Sequence, residues 1–362
     1  MKIKEFISII ESRIPNDIQE AFDNSGIQIG PFDQEVKNPL LSLDLSEEVL
    51  KKAIEYKSNF IVSHHPLIFN PIKKFLTTNN KTKLIKEIFQ NEITIYACHT
   101  PIDKIQDGLN DYFCKLIGLE NIIGIISSGK REIYKVQVFV PETHKDVVID
   151  KIAEVGGGWI GNYSECTFSS TGIGTFKPHE GTNPYIGRHN EREYAKEAKI
   201  ETVIPKEQVD MLIREVEKVH PYEEVAMEAF PLFRPVFPHF LCRKGELSHT
   251  TKLIDFIERL KSRTQQKTIR YNGNEENLIK RIAVCTGSGA NFLSYILNEG
   301  IDAFITGDVG YHDFQFAEEN GINLIEITHN NMEKHFPQVF KTFFEDLELE
   351  FLSYSFSFLN EF

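Results

Sequence analysis

The sequence predicts an α/β protein: two helix-covered lobes, each with a parallel or mixed sheet, interrupted by an inserted ferredoxin-like α+β domain. Three observations carry this expectation. Apolar, strand-like runs alternate with amphipathic helical patterns over residues 1–126, and the same alternation resumes after about 245. Between them the pattern changes to a β-α-β-β-α-β order. The expected boundaries are 1–127 for the first lobe, 130–232 for the insertion and 240–362 for the second lobe.

The chain opens with Ile3, Phe6, Ile7 and Ile10 on one helical stripe. Strands are expected near 27–30 and 39–44, with a helix near 46–57. Asn59-Phe60-Ile61-Val62-Ser63-His64-His65-Pro66 is a short run of bulky apolar residues closed by Pro66, and reads as a buried strand. A helix near 82–90, a strand at 93–98 and a helix near 108–118 follow. In the insertion, Glu132 to Pro141 alternates as a strand, and 143–155 reads as a helix ended by Gly156-Gly157-Gly158. Strands near 164–176 and 192–204 flank a loop rich in Gly, Pro and Asn, before a helix at 206–219 and a strand at 223–230. The second lobe reads as helix 250–261, strand 280–285, helix 290–299, strand 302–306, helix 310–320, strand 323–328 and helix 331–345.

Bulk properties narrow the class. A chain of 362 residues can build two or three domains with substantial cores. A formal charge of −13 argues against nucleic acid as a general partner. No apolar stretch is long enough to span a bilayer, and Met1-Lys2-Ile3-Lys4-Glu5-Phe6 reads as an amphipathic helix rather than a signal peptide. The five cysteines, Cys98, Cys114, Cys166, Cys242 and Cys285, are dispersed with no C-x-x-C pair, so reduced, mostly buried thiols are expected. A cytoplasmic location is the expectation.

The chemistry concentrates at strand ends. Two imidazoles close the run at His64 and His65, and Ile93-Thr94-Ile95-Tyr96-Ala97-Cys98-His99 ends in another, followed by Asp103. Downstream, Thr306-Gly307-Asp308 ends a strand with His312 four positions on, and Ile327-Thr328-His329 ends one with Glu333 at i+4. A helix starting there puts His329 and Glu333 near one face of its first turn. Open α/β sheets place ligands at strand ends, and neutral imidazole is the commonest side-chain metal ligand. His64, His65 and His329 with Asp103 and Glu333 exceed what one tetrahedral zinc needs and suit two neighbouring divalent ions bridged by a carboxylate. Mixed nitrogen and oxygen ligands admit zinc, manganese, iron, nickel or cobalt. Neither half of the chain holds all five, so the site must form between halves. Asp308, His312 and His99 are candidates for positioning water or a substrate proton, or for orienting the imidazoles; for His99 the orienting role is preferred. Thr286-Gly287-Ser288-Gly289-Ala290 lacks the spacing of a phosphate-binding loop and reads as a tight strand-to-helix turn.

Ser63-His64-His65-Pro66-Leu67-Ile68-Phe69, His99-Thr100-Pro101-Ile102-Asp103, Thr306-Gly307-Asp308 and His329 with Glu333 together resemble the GTP cyclohydrolase 1 type 2 homologue family, the NGG-interacting-factor-like dinuclear metal proteins. Phe22-Asp23-Asn24-Ser25-Gly26 and Ser42-Leu43-Asp44-Leu45-Ser46 match that family's opening. The resemblance implies two metal ions held by His64, His65, Asp103, His329 and Glu333, and a toroidal homohexamer. His220-Pro221-Tyr222-Glu223-Glu224-Val225-Ala226 is similar to the corresponding stretch of CutA-like and PII-like domains, which implies a trimer-capping role for the insertion; the alternative is simple decoration. His220 and Glu223 read as helix-end and turn chemistry. The expected activity is metal-dependent hydrolysis of a nucleotide or another phosphorylated small molecule. The alternative is a non-catalytic, metal-binding regulatory or interaction protein with a ligand-sensing insertion.

Overall fold

Residues 1–76, 78–130, 132–160, 163–233 and 238–354 are described in a computed structural model of the chain. The amphipathic opening forms α1 (Ile3–Arg13), which buries Ile3, Phe6 and Ile10. Strands β1 (Gly26–Ile29) and β2 (Leu40–Ser42) lead to α2 (Glu47–Glu55), whose first turn is capped by the Ser46 hydroxyl accepting the Val49 N–H. Then come β3 (Phe60–Ser63), α3 (Asn80–Gln90), β4 (Thr94–Ala97), the one-turn α4 (Thr100–Lys104), α5 (Leu109–Ile117) and β5 (Leu119–Lys130). The insertion supplies β6 (Ile133–Pro141), α6 (Lys145–Glu154), β7 (Thr167–Phe176), β8 (Glu193–Pro205), α7 (Val209–Val219) and β9 (Met227–Pro231). The return consists of β10 (Pro238–Lys252), α8 (Leu253–Thr264), β11 (Arg270–Tyr271), β12 (Leu278–Val284), α9 (Leu293–Ile296), β13 (Ala303–Thr306), α10 (Tyr311–Glu319), β14 (Asn323–Glu326), α11 (His329–Glu333), α12 (Phe336–Thr342) and β15 (Leu352–Ser353).

Two compact units result: Met1–Gly129 with His239–Phe362, and Lys130–Pro238. The larger holds two mixed sheets, ordered β1-β4-β3-β2-β15 and β11-β14-β13-β12-β10-β5. In the first, β15, β2, β3 and β4 run parallel and β1 is antiparallel. In the second, β12, β13 and β14 run parallel, with β11 and β10 antiparallel at their flanks. The lobes are therefore not two separate stretches of sequence. The first sheet takes β15 from the back of the chain, and the second takes β5 from the front. One core makes the same exchange: Ile3, Phe6 and Ile10 pack in a cluster with Phe336, Val339, Phe340 and Phe344. Each such fully buried side chain contributes about 1.5–3 kcal/mol.

The smaller unit has a four-stranded antiparallel sheet ordered β7-β8-β6-β9. Its β-α-β-β-α-β order is that of ferredoxin-like folds. Val136, Val138 and Val140 alternate inward from β6 against Val148 and Ile152 of α6 and Leu212 and Val216 of α7.

Several elements differ from the sequence expectation. Both β5 and β10 are long strands that the pattern had left unassigned. The helix expected at 290–299 is a chain of short pieces, 3₁₀ at Ala290–Phe292, α9, and 3₁₀ at Leu297–Glu299. The helix expected at 331–345 is two, because Pro337 starts a second one in the first turn of α12. The strand expected from 223 begins at Met227, since the preceding residues form a turn. Among the described residues, no helix is long and apolar enough to cross a membrane.

Candidate metal centre

The site lies within the larger unit, where both sheets turn the carboxyl ends of their parallel strands towards one cluster. In a strand, consecutive side chains face opposite sides, so adjacent histidines would ordinarily diverge. β3 stops at Ser63, however, and the chain bends through His64 and His65. The His64 N–H donates to the Ser42 carbonyl, the His65 N–H to that of Leu43, and the Ser63 hydroxyl to the His65 carbonyl. The two rings then lie 4.9 Å apart. β4 delivers His99 at the start of α4, whose single turn buries Asp103. From the second sheet, β14 leads into α11, and that turn puts His329 and Glu333 on one face.

The donor atoms converge. Oε2 of Glu333 is 2.8 Å from His329 Nε2, 3.0 Å from His65 Nε2 and 3.7 Å from His64 Nε2. His65 and His329 bring their Nε2 atoms within 3.2 Å. Asp103 Oδ1 lies 3.9 Å from His64 Nε2. Two sets of ligand atoms each fall within 4.8 Å of one another, His64 with His65 and His99, and His65 with His329 and Glu333. His65 belongs to both.

What fixes the rings is the other nitrogen. His64 Nδ1 faces the Cys98 carbonyl at 2.9 Å, and His65 Nδ1 faces Asp44 Oδ1 at 2.8 Å. His99 Nδ1 faces Asp23 Oδ1, and His329 Nδ1 faces Asp308 Oδ2, both at 2.7 Å. Every one of these partners is an acceptor, so each Nδ1 carries a proton, and each ring presents to the cluster an Nε2 that is a lone pair whenever the ring is neutral. His64 Nε2, Asp103 Oδ1 and Glu333 Oε2 are buried without a hydrogen-bond donor. Lone pairs facing buried carboxylate oxygens repel unless a positive charge sits among them.

Ionisation reports the same demand. Burial drives His64 down to about 4. Burial also opposes charge on His65 and His329, yet the adjoining carboxylates overcome it and hold them at about 10 and about 9. Burial and the nearby Glu333 push Asp103 well above the usual carboxylate range. Glu333 lies well below it, because the imidazoles around it outweigh its burial. The cluster thus draws in protons wherever no cation balances it. Nitrogen and oxygen donors of this kind fit a divalent metal, and the described residues include no cysteine in either set.

Not every predicted residue joins. His64, His65, Asp103, His329 and Glu333 are brought together, and His99 stands with the first two as a possible ligand, whereas the sequence preferred an orienting role for it. Asp308 orients His329 from a left-handed backbone conformation (φ 54°). His312 is not drawn in: it is exposed on α10, paired with Gln315 and edge-on to Tyr311. The sequence missed the orienting roles of Asp23 and Asp44 and the role of Gly287. The 286–290 stretch is indeed a tight turn after β12, but Gly287 has φ +69°, and a Cβ there would sit 2.5 Å from Glu333 Oε1.

Comparison with known proteins follows this geometry. The profile of a family described as Duf34/NIF3 (NGG1p interacting factor 3) matches residues 1–358. A Halalkalibacterium halodurans protein named GTP cyclohydrolase 1 type 2 homolog is 36% identical over 324 residues, 90% of this chain and 87% of its own. A Staphylococcus aureus protein of the same name is 36% identical over 329 residues, 91% and 89% of the two chains. A crystal structure of a Bacillus cereus protein related to NIF3 superposes with a TM-score of 0.83 at 34% identity, covering 99% of this chain and 97% of that one.

Proposed function

Because the chain belongs to the Duf34/NIF3 family, we propose that it is a dinuclear divalent-metal protein that hydrolyses a nucleotide or another phosphorylated small molecule. One observation carries the reading: four imidazoles turn their Nδ1 atoms to oxygen acceptors and their Nε2 atoms inward, around buried carboxylate oxygens that lack donors. Four imidazoles and two buried carboxylates are more donors than one tetrahedral ion needs, which supports two adjacent ions rather than one. His64, His65, Asp103, His329 and Glu333 would hold the ions. Zinc, manganese, iron, nickel and cobalt all suit these donors. Divalent ions bound there supply Lewis acidity and water of lowered pKa.

The chain's own residues do the rest. Asp44, Asp23, Asp308 and the Cys98 carbonyl hold the rings in one tautomer and one orientation. A cleft of about 540 Å³ opens beside His65, lined also by Asp44, Ser46, Asn80 and Lys81. That volume suits a metabolite, and the Lys81 ammonium offers a counter-charge to phosphate. The relatives' name, GTP cyclohydrolase 1 type 2 homolog, supports a nucleotide among the substrates to be tried first.

In the same reading the smaller unit is CutA/PII-like, which its sheet order supports. Phe168 and Ile173 of β7 and Tyr194 of β8 are each more than 60% exposed, which supports self-association into the homohexamer. Light scattering that finds a monomer at micromolar concentration removes the hexamer.

Metal content and turnover test the function together. Protein purified with its native metals should hold close to two ions per chain and cleave GTP or a member of a phosphoester panel. A folded His64→Ala/His65→Ala variant should lose both. Fewer than one ion per chain ends the dinuclear reading. Two ions without turnover end the hydrolase and favour the non-catalytic regulatory protein.

A further inference from the structure

The smaller unit contains a cavity of about 340 Å³ that the metal chemistry does not use. Four aromatic rings stand around it: Phe139 from β6, Phe176 from β7, Tyr185 from the β7–β8 loop, and Tyr222 from the turn after α7. Tyr222 lies 5.8 Å from Phe176 and 6.2 Å from Tyr185, ring centre to ring centre. Its position is fixed by His220. That imidazole donates from Nε2 to the Phe139 carbonyl at 2.9 Å and accepts the Tyr222 N–H on Nδ1 at 3.1 Å.

Among these rings lies a carboxylate. Glu197 lines the cavity, is only 8% exposed, and its one hydrogen bond among the described residues comes from the Tyr222 hydroxyl to Oε1 at 2.9 Å. β7 makes room for it: a Cβ on Gly174 would stand 2.1 Å from Glu197 Oε2. Glu223 accepts the Asn183 N–H on both oxygens, at 2.9 and 3.1 Å, tying the loop that carries Tyr185 to the turn that carries Tyr222. Glu224 adds a third carboxylate to the lining, against a single lysine, Lys177, which makes no ion pair among the described residues.

The lining selects a charge. An anion would meet Glu197 across a low-dielectric wall, and a neutral apolar molecule would leave that buried carboxylate without a counter-ion. A cation gains from the carboxylate and from the ring faces at once, the arrangement by which aromatic cages take ammonium groups. We propose that this cavity binds a small organic cation, an amine or guanidinium group on a metabolite-sized molecule, with Glu197 as counter-ion and the four rings as walls.

Isothermal titration of the full chain with agmatine and with choline tests this, with adenosine as an uncharged aromatic comparison. At least one of the two cations should bind saturably, one per chain, and adenosine should not. Glu197→Gln keeps the side-chain shape and should weaken binding about tenfold or more. Tyr185→Ala removes a half-exposed wall and should weaken it too. The His64→Ala/His65→Ala chain should bind as the wild type does. Failure of both cations to bind, equal binding by Glu197→Gln, or binding of adenosine in their place overturns the proposal.

Discussion

An imidazole coordinates a metal only through a nitrogen that carries no proton, so the groups behind the rings decide whether the centre forms. Asp44 and Asp308 each fix one ring, and neither is required to touch the ion. Asp44→Ala and Asp308→Ala are expected to lower metal affinity by about 10–100-fold, read by competition with a chromogenic chelator; unchanged affinity would show the rings are held by packing alone. Gly287→Ala tests the space kept for Glu333. Gly181 has a comparable left-handed conformation with open space where a Cβ would go, so Gly181→Ala controls for backbone strain. Elemental analysis should find metal lost from the first variant and retained by the second. The candidate ligands His64, His65 and His329 were legible because they stand at the ends of apolar runs, whereas His99, for which the pattern favoured an orienting role, joins them as a candidate only in the fold. Their orienting carboxylates were visible but unassignable: Asp44 lies 21 residues from His65 and Asp23 76 residues from His99, and only folding joins them. His312 shows the converse, a strand-end spacing that α10 turns to solvent.

The elements that hold the halves together are fastened by a few buried polar groups. Asn110 of α5 donates to the Asp103 and Leu241 carbonyls and accepts the Thr286 N–H. Arg243 of β10 grips Asp111 with two nitrogens and bonds the Lys104 and Ile105 carbonyls. Arg243→Ala leaves Asp111 buried without its cation and is expected to cost about 3–5 kcal/mol in urea unfolding. In the smaller unit, burial holds His220 below its ordinary range, only partly offset by its bond to Phe139. The unfolded chain therefore takes up that proton first, so stability is present above about pH 6.5 and falls as the pH drops below it. The amide protection factors of α7 and β6, taken against the intrinsic exchange rate at each pH, should fall between about pH 7.5 and 5.5 in the wild type and less so in His220→Gln. Helices and strands with clean periodicity were readable, but β10 was not. Its Gly245 interrupts the pattern, and the reason is tertiary: a Cβ there would press within 2.9 Å of the Glu120 carbonyl on β5.

At the scale of the whole molecule, the insertion leaves and re-enters the larger unit through β5 and β10, which are neighbours in one sheet. Gly124 and Phe240 are close enough that a Cβ on the glycine would strike the ring. Replacing 130–238 by a short linker should therefore leave a folded, metal-binding protein, checked by circular dichroism and metal titration. An unfolded product would mean that the insertion supports the remainder. Sequence pattern located this insertion because its period and element order change. It could not show that the flanking segments exchange strands, since pairing between distant stretches leaves no periodicity behind. That exchange orders events during synthesis. While the ribosome is still making the C-terminal third, the first sheet lacks its β15 edge, α1 has Phe60 but lacks Phe336, Phe340 and Phe344, and the histidines at 64 and 65 have no Glu333 to meet. The inserted unit, with all its strands contiguous, can fold on the nascent chain. In the proposed centre His329 and Glu333 are the last ligands to be made, so the full set comes together only when translation is nearly complete.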